Sequence, residues 1–308
     1  MSDRAVLMMA YGSPDSLDDI EAYLNDIRGG RPMSPDFVSE FKGRYAQIGG
    51  KSPLNEHTFE QAERTEKLLR DRGHKSKVYV GMRHWAPWIE DTIRQMHEDG
   101  VTEAVGIVMA PHYSSMSVGR YWKKVEEAQE TVGSSIEFIH VDSWCRQEKL
   151  LEAQEAHVRA ALGKFEPEAR DCLKIIFSAH SLPARLLKMG DPYDDEFREN
   201  ARSLAGRLGE VDWMSCYQSA AHTGEPWLGP QIEDVVVDLG KEGYKQILSA
   251  PIGFVCDHVE ILYDIDIGVR KIAAEQGITA ERIESMNYDP IFLEAVADAL
   301  EEKLEQEW

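Results

Sequence analysis

An internal repeat constrains this chain more than any other feature. Pro87-Trp88-Ile89-Glu90-Asp91 is echoed by Pro226-Trp227 followed by Ile232-Glu233-Asp234. Asp91 and Gly100 are nine positions apart, as are Asp234 and Gly243, and each glycine precedes an apolar run ending in Ala-Pro, at Ala110-Pro111 and Ala250-Pro251. That is the spacing of a helix, a glycine that ends it, and a strand. Further back, the apolar run 5–10 aligns with 173–179, each leading into a short loop with a proline, Pro14 or Pro183, and 77–82 aligns with 212–218. Strands alternating with helical stretches of this length make right-handed βαβ crossovers, and hence parallel sheets. The expected fold is α/β, with two similar Rossmann-like halves, each a parallel sheet flanked by helices, and an active-site cleft between them.

The halves are expected at 1–146 and 147–308, joined through a helical segment 147–162 and a polar stretch 163–170. Residues 289–308 read as an amphipathic helix, with Ile291, Leu293, Ala297, Leu300 and Leu304 on one side, free to pack back on the first half. Inside the first half, about 15–72 reads as an insertion, interrupted by Arg28-Gly29-Gly30-Arg31-Pro32 and Ile48-Gly49-Gly50-Lys51-Ser52-Pro53. Such insertions form lids or lips over a site. This one carries Arg28, Arg31, Arg44 and Tyr45, a group suited to a ligand with carboxylates and an apolar body. On composition alone, ordinary surface arginine is the simpler account.

A net charge of -21 excludes a sequence-independent grip on nucleic acid, which needs lysine and arginine to neutralise phosphates. Solubility accounts for the excess acid, although acidic groups gathered in a cleft also attract cations. The four cysteines, Cys145, Cys172, Cys216 and Cys256, form no C-x-x-C pair, so buried free thiols are expected rather than a zinc or iron-sulfur site. No apolar run approaches the ~20 residues of a membrane helix, and residues 5–10 are too short for a secretory signal. The expected compartment is the cytoplasm, without membrane insertion.

If the repeat holds, Tyr11, His112, His180 and Glu260 all fall just beyond strand carboxyl ends, around the crevice where open α/β sheets bind ligands. His180 lies in Ser178-Ala179-His180-Ser181-Leu182-Pro183, straight after an apolar run. Glu260 and Asp264, four residues apart on a short helix, would point the same way. An imidazole and a carboxylate in one cleft suit divalent metal handling or proton transfer. By residue type alone, His180 is as readily a hydrogen-bonded structural histidine and Glu260 a solvated helix residue. His112 is the weaker candidate. Trp85, Trp88 and Trp227 read as packing, and Asp257 beside His258 as a helix cap. Neither glycine pair has dinucleotide or P-loop spacing.

The motif series resembles the ferrochelatases over nearly the whole chain. It runs through Met9-Ala10-Tyr11-Gly12-Ser13-Pro14, Arg44-Tyr45 with Ile48-Gly49-Gly50 and Ser52-Pro53-Leu54, Ala110-Pro111-His112-Tyr113-Ser114, the His180 motif, Trp227-Leu228-Gly229-Pro230, and Gly253-Phe254-Val255 with Asp257-His258 and Glu260. The resemblance implies a chelatase-like fold and insertion of ferrous iron into a porphyrin with release of two protons. His180 and Glu260 would be the metal-insertion pair, Tyr11 an axial ligand to the product iron on the opposite ring face, and Asp264 part of a metal or proton path. Tyr11, Arg28, Arg44, Tyr45, Ser52 and Tyr121 match porphyrin-contacting positions.

Tyrosine at position 11 and a polar lip of Asp18, Glu21, Asn25, Arg28 and Arg31 resemble the coproporphyrin III type rather than the protoporphyrin IX type. Cobalt or nickel chelatases of the same architecture often present two histidines at the centre, which the Glu260 pairing disfavours. A haem carrier without chemistry is the alternative of another class. Similar enzymes continue the acidic helix face a turn beyond Asp264, where this chain has Gly268. No cysteine follows Cys256, so no [2Fe-2S] cluster is expected. Iron is expected as substrate, with no resident cofactor and a monomeric enzyme.

Overall fold

The computed structural model describes residues 4–166, 170, 172–221 and 223–306. In chain order, β1 (Ala5–Ala10) is followed by a short 3-10 turn, Leu17–Asp19, and by α1 (Ile20–Ile27), α2 (Pro35–Gln47), α3 (Leu54–Asp71), β2 (Val78–Met82), α4 (Ile89–Glu98), β3 (Glu103–Val108), α5 (Val118–Val132), β4 (Glu137–Val141) and α6 (Glu148–Leu162). The second half holds β5 (Leu173–His180), a 3-10 turn Ala184–Met189, α7 (Tyr193–Leu208), β6 (Trp213–Gln218), α8 (Ile232–Glu242), β7 (Gln246–Ala250), α9 (Val259–Leu262), a π-helical turn Asp264–Val269, α10 (Arg270–Glu275), β8 (Thr279–Arg282) and α11 (Pro290–Leu304).

Both sheets have four parallel strands in the same order, β2-β1-β3-β4 and β6-β5-β7-β8. The repeat is therefore a repeat of topology. Central strands of such sheets are apolar throughout because helices cover both faces, and every residue of β1 is buried. Side chains alternate between faces. Val6 and Met8 of β1 and Ile175 and Phe177 of β5 point into one core shared by the halves and filled by α6, α7 and α11. Leu7 and Met9 face α4 and α5 in a second cluster, and Ile176 faces α8 and α10 in a third.

The repeat register needs one correction. Met82 N–H donates to Pro87 O at 2.7 Å and Tyr217 N–H to Pro230 O at 2.8 Å, so Pro87-Trp88 corresponds to Pro230-Gln231 and not to Pro226-Trp227. The helices themselves keep their register: α4 and α8 open at Ile89 and Ile232, and Gly100 and Gly243 beyond them both adopt the left-handed conformation.

The insertion is also shorter than its sequence pattern implies. α3 buries Ala62, Thr65 and Leu69 and packs on β2 and α11, which makes it the crossover helix between β1 and β2. Only α1 and α2 stand out as a lip, held by Ile20, Leu24, Val38 and Tyr45 with Val259 against them. α11 packs against α3, α6, β3 and β4, and Glu307 and Trp308 lie outside the described residues, as does part of the polar stretch 163–170. Among the cysteines, Cys172 is exposed while the other three are buried, contrary to the expectation of four buried thiols.

Candidate active site

β5 ends at His180, where β6 lies beside it through the Ala179–Tyr217 and His180–Gln218 pairs. The imidazole is fixed from below. Nδ1 donates to the Ser181 carbonyl and the Tyr193 hydroxyl donates to His180 O at 2.8 Å, which leaves Nε2 facing the cleft. There it stands 3.3 Å from Glu260 Oε1, with both side chains 32% exposed. Burial pushes the His180 imidazolium pKa down, but the Glu260 charge outweighs it and holds the group up at about 9. Burial likewise acts upward on Glu260, and the His180 charge reverses it, leaving the carboxyl well below the usual range.

Glu260 enters the cleft because the loop after β7 turns back under β5. Gly253 N–H donates to Ser178 O at 3.0 Å, and a Cβ there would meet Ala179 Cβ at 2.5 Å, so only glycine allows the two backbones this close. Gln218, bonded to Ser178 Oγ at 2.8 Å, donates to the Glu260 carbonyl at 3.1 Å, and His258 Nε2 lies 3.7 Å from Glu260 Oε2. A second histidine therefore borders the centre. Asp257 does not cap α9: it accepts from Ser285 and Asn287, and His258 holds the N-cap position.

Past α9 the chain does not continue as a regular helix. Ile267 and Gly268 N–H both donate to Tyr263 O, at 3.2 and 2.9 Å, which opens a π-helical turn. Asp264 accepts from Ser219 Oγ at 2.6 Å. Burial and then the Glu260 charge push its pKa up to about 6. Asp266 points elsewhere, into a bidentate pair with Arg282.

Tyr11 is the β1 counterpart of His180 and is 38% exposed. Its ring packs on His84 at 4.5 Å, and the Arg83 guanidinium lies 5.9 Å from it and 5.4 Å from the Tyr121 ring. Burial raises the Tyr11 pKa to about 12 against the opposing Arg83 charge, and the Glu260 charge adds to the rise. Tyr11 thus lies within electrostatic reach of Glu260. His84 is held by Asp26 at 2.7 Å, and burial pushes its pKa down to about 4.

The structure brings together His180, Glu260, Asp264 and Tyr11. Arg44 reaches the same wall, with its guanidinium 5.5 Å from the Tyr263 ring and paired with Glu40 at 2.6 Å. Arg28 is exposed at the end of α1, beside Met33. Three of the residues at porphyrin-contacting positions are buried: Tyr45 with its hydroxyl on Ser13, Ser52 beside the start of α3, and Tyr121 under Arg83. His112 is buried too, bonded to Asn200 at 3.1 Å, and braces α7 instead of facing the cleft.

Arg83, His84, Asp26, Ser219 and His258 were not singled out as site residues by sequence reasoning. For Arg83, His84 and Ser219 the signal was present, because 77–82 and 212–218 are matching strands and these residues sit at or just beyond their carboxyl ends. A cavity of about 240 Å³ lined by Asp26, Arg83, Trp88 and Lys124 adjoins this wall but is smaller than ordinary small-molecule pockets. Away from the cleft, His74, Glu301 and Glu305 come together, with Arg72 already neutralising Glu301.

Residues 3–304 match the family described as Ferrochelatase. A ferrochelatase of Deinococcus radiodurans is 45% identical over 300 residues, covering 97% of this chain and 95% of that protein. The coproporphyrin III ferrochelatase of Geobacillus thermodenitrificans is 39% identical over 305 residues, covering 98% and 96%. Among solved structures, SirB from Bacillus subtilis with Fe3+ matches with a TM-score of 0.60 at 11% identity, over 98% of this chain and 96% of that one, a likeness of fold.

Proposed function

The chain belongs to the ferrochelatase family, and from that premise we propose that its porphyrin substrate is coproporphyrin III and that His180 and Glu260 carry metal insertion. The family reaction places ferrous iron in a porphyrin and releases two protons, in haem biosynthesis. The observation that carries the site assignment is the His180 Nε2 to Glu260 Oε1 contact of 3.3 Å, one-third exposed to the cleft.

The proton balance follows from this pair. At neutral pH His180 is an imidazolium held by Glu260. A dication arriving at Glu260 removes the reason for that proton, which leaves through Nε2 while Nδ1–H stays on the Ser181 carbonyl. The neutral imidazole then accepts one pyrrole proton as iron takes its place, passes it to Asp264 or to solvent, and accepts the second pyrrole proton in turn. Asp264, with a pKa of about 6, takes protons from the pair or offers negative charge to the metal. Tyr11 stands ready as axial ligand for the product iron from the other wall.

Coproporphyrin III is supported by the lip. Asp18, Glu21, Arg28 and Arg31 are exposed, and among the described residues neither Arg28 nor Arg31 has a carboxylate partner. Two exposed guanidinium groups without carboxylate partners suit a ring with four propionates better than one with two. The test is anaerobic iron insertion, followed by loss of porphyrin fluorescence, with coproporphyrin III and protoporphyrin IX in parallel. Faster turnover of protoporphyrin IX would overturn the substrate assignment, and parental turnover in His180→Ala would overturn the site assignment. The same proposal takes the enzyme as a cytoplasmic monomer without a resident cofactor or [2Fe-2S] cluster, to be checked by sedimentation, cell fractionation and metal analysis. Among the described residues no helix is long and apolar enough to cross a membrane.

A further inference from the structure

The segment 257–266 carries the two carboxylates of the proposed insertion centre, Glu260 and Asp264, together with His258. Regular structure does little to hold it. α9 spans only Val259–Leu262, and the π-helical turn follows at once. The Glu260 charge also raises the Asp264 pKa, so the two carboxylates repel each other.

One side chain grips both ends of this segment. Arg282 is the last residue of β8, paired in register with Ser249 of β7. Its Nε and Nη2 donate to Asp266 Oδ1 and Oδ2 at 2.9 and 3.0 Å, and the same Nη2 lies 3.2 Å from Asp257 Oδ1. Nη1 donates to Ile283 O at 2.8 Å and Ser285 Oγ at 3.1 Å, which aims the fork. Asp257 is fixed in turn by Ser285 Oγ at 2.7 Å and Asn287 Nδ2 at 3.0 Å, while its own N–H donates to Asn287 Oδ1 at 2.8 Å. The Arg282 side chain is 12% exposed, so these bonds are screened far less than a surface pair.

We propose that Arg282 is a positioning residue for metal insertion. It ties Asp257 and Asp266, which flank the metal-facing groups, to the edge of the second sheet, and so sets where Glu260 and Asp264 stand relative to His180 on β5. Arg282 acts by geometry, through the carboxylates it grips, and touches neither iron nor porphyrin. The inference rests on the roles proposed above for Glu260 and Asp264.

Arg282→Lys keeps the charge but loses the fork, and Asp266→Asn loosens one end while leaving Asp257 in place. In both variants the KM for ferrous iron, kcat, and coproporphyrin III affinity by fluorescence quenching are measured, with Glu260→Gln in parallel. The expected result is a rise of about tenfold or more in the iron KM for Arg282→Lys, the size of loss found when a partner behind a metal ligand is removed. Asp266→Asn moves the same way by less, and porphyrin affinity stays within about twofold in both.

Porphyrin affinity falling in step with the iron KM marks a general loosening and overturns the inference. So does an iron KM within about twofold of the parent in both variants. Should Arg282→Lys fail to fold, Asp266→Asn decides alone, and an unchanged iron KM there overturns the staple. If Glu260→Gln keeps full insertion, the site assignment and the staple fall together. If it abolishes insertion while the two staple variants keep the parental iron KM, the staple alone falls.

Discussion

Replacing Glu260 by glutamine keeps the size of the side chain and removes the charge 3.3 Å from His180 Nε2. Opposite unit charges at that distance attract by about 5 kcal/mol at an effective dielectric of 20, and burial of the imidazole opposes part of this. The balance holds the His180 pKa at about 9 against an ordinary 6.5, a preference for imidazolium of about 3 kcal/mol. With both side chains 32% exposed, water screens some of it, leaving about 2 kcal/mol.

In Glu260→Gln only the Ser181 hydrogen bond and the Asp264 charge still oppose the burial penalty, so the His180 pKa falls from about 9 toward the ordinary histidine value. The sign is that of a raised base. The pair's contribution to stability is fully present between about pH 4.5 and 6.5, and is lost as pH rises through about 9 or falls far enough to protonate Glu260. Iron arriving at Glu260 expels the Nε2 proton, so the parental iron KM rises as pH falls below about 9, by up to about tenfold per pH unit. Imidazole NMR titration from about pH 5 to about pH 10 and the iron KM over the same range read both effects. A His180 that still titrates near 9 in the variant, or a parental iron KM that stays flat from neutral pH to 9, refutes the reasoning.

Three further outcomes follow from the neighbouring geometry. Ser219→Ala removes the 2.6 Å hydrogen bond that holds the Asp264 pKa down; a loss of about 1 kcal/mol moves the acidic limb of the pH-rate profile up by about 0.7 unit, and an unmoved limb counts against Asp264 as a proton group. Gly253→Ala brings a Cβ to 2.5 Å from Ala179 Cβ, one residue before His180; the expected cost is about 1–3 kcal/mol in denaturant unfolding and a fall in insertion rate of about a hundredfold, whereas a parental rate would show that His180 does not depend on this contact. Gly268→Asp is accommodated, because a Cβ there meets only Tyr263 O at 3.6 Å; by extending the acidic line it lowers the iron KM about threefold, and an unchanged KM places the iron route elsewhere.

The repeat of helix, glycine and strand determined the two parallel sheets, because hydrophobic period and turn glycines are local properties of the chain, while the strand order came from the structure. It also placed His180 and Tyr11 at matching strand ends, one per half. Sequence misjudged whatever depends on packing between elements. α3 has a polar surface pattern like the rest of the insertion and only its neighbours β2 and α11 make it a core helix. That Tyr45 and Ser52 are buried is likewise set by packing and has no local signal. The π-helical turn, which follows from two N–H groups sharing the Tyr263 carbonyl, has no period a sequence scan detects. The approach of Glu260 to His180 was decided last, by a loop passing under β5 at Gly253 and held from the sheet edge by Arg282, contacts between residues far apart in the chain that no local pattern encodes.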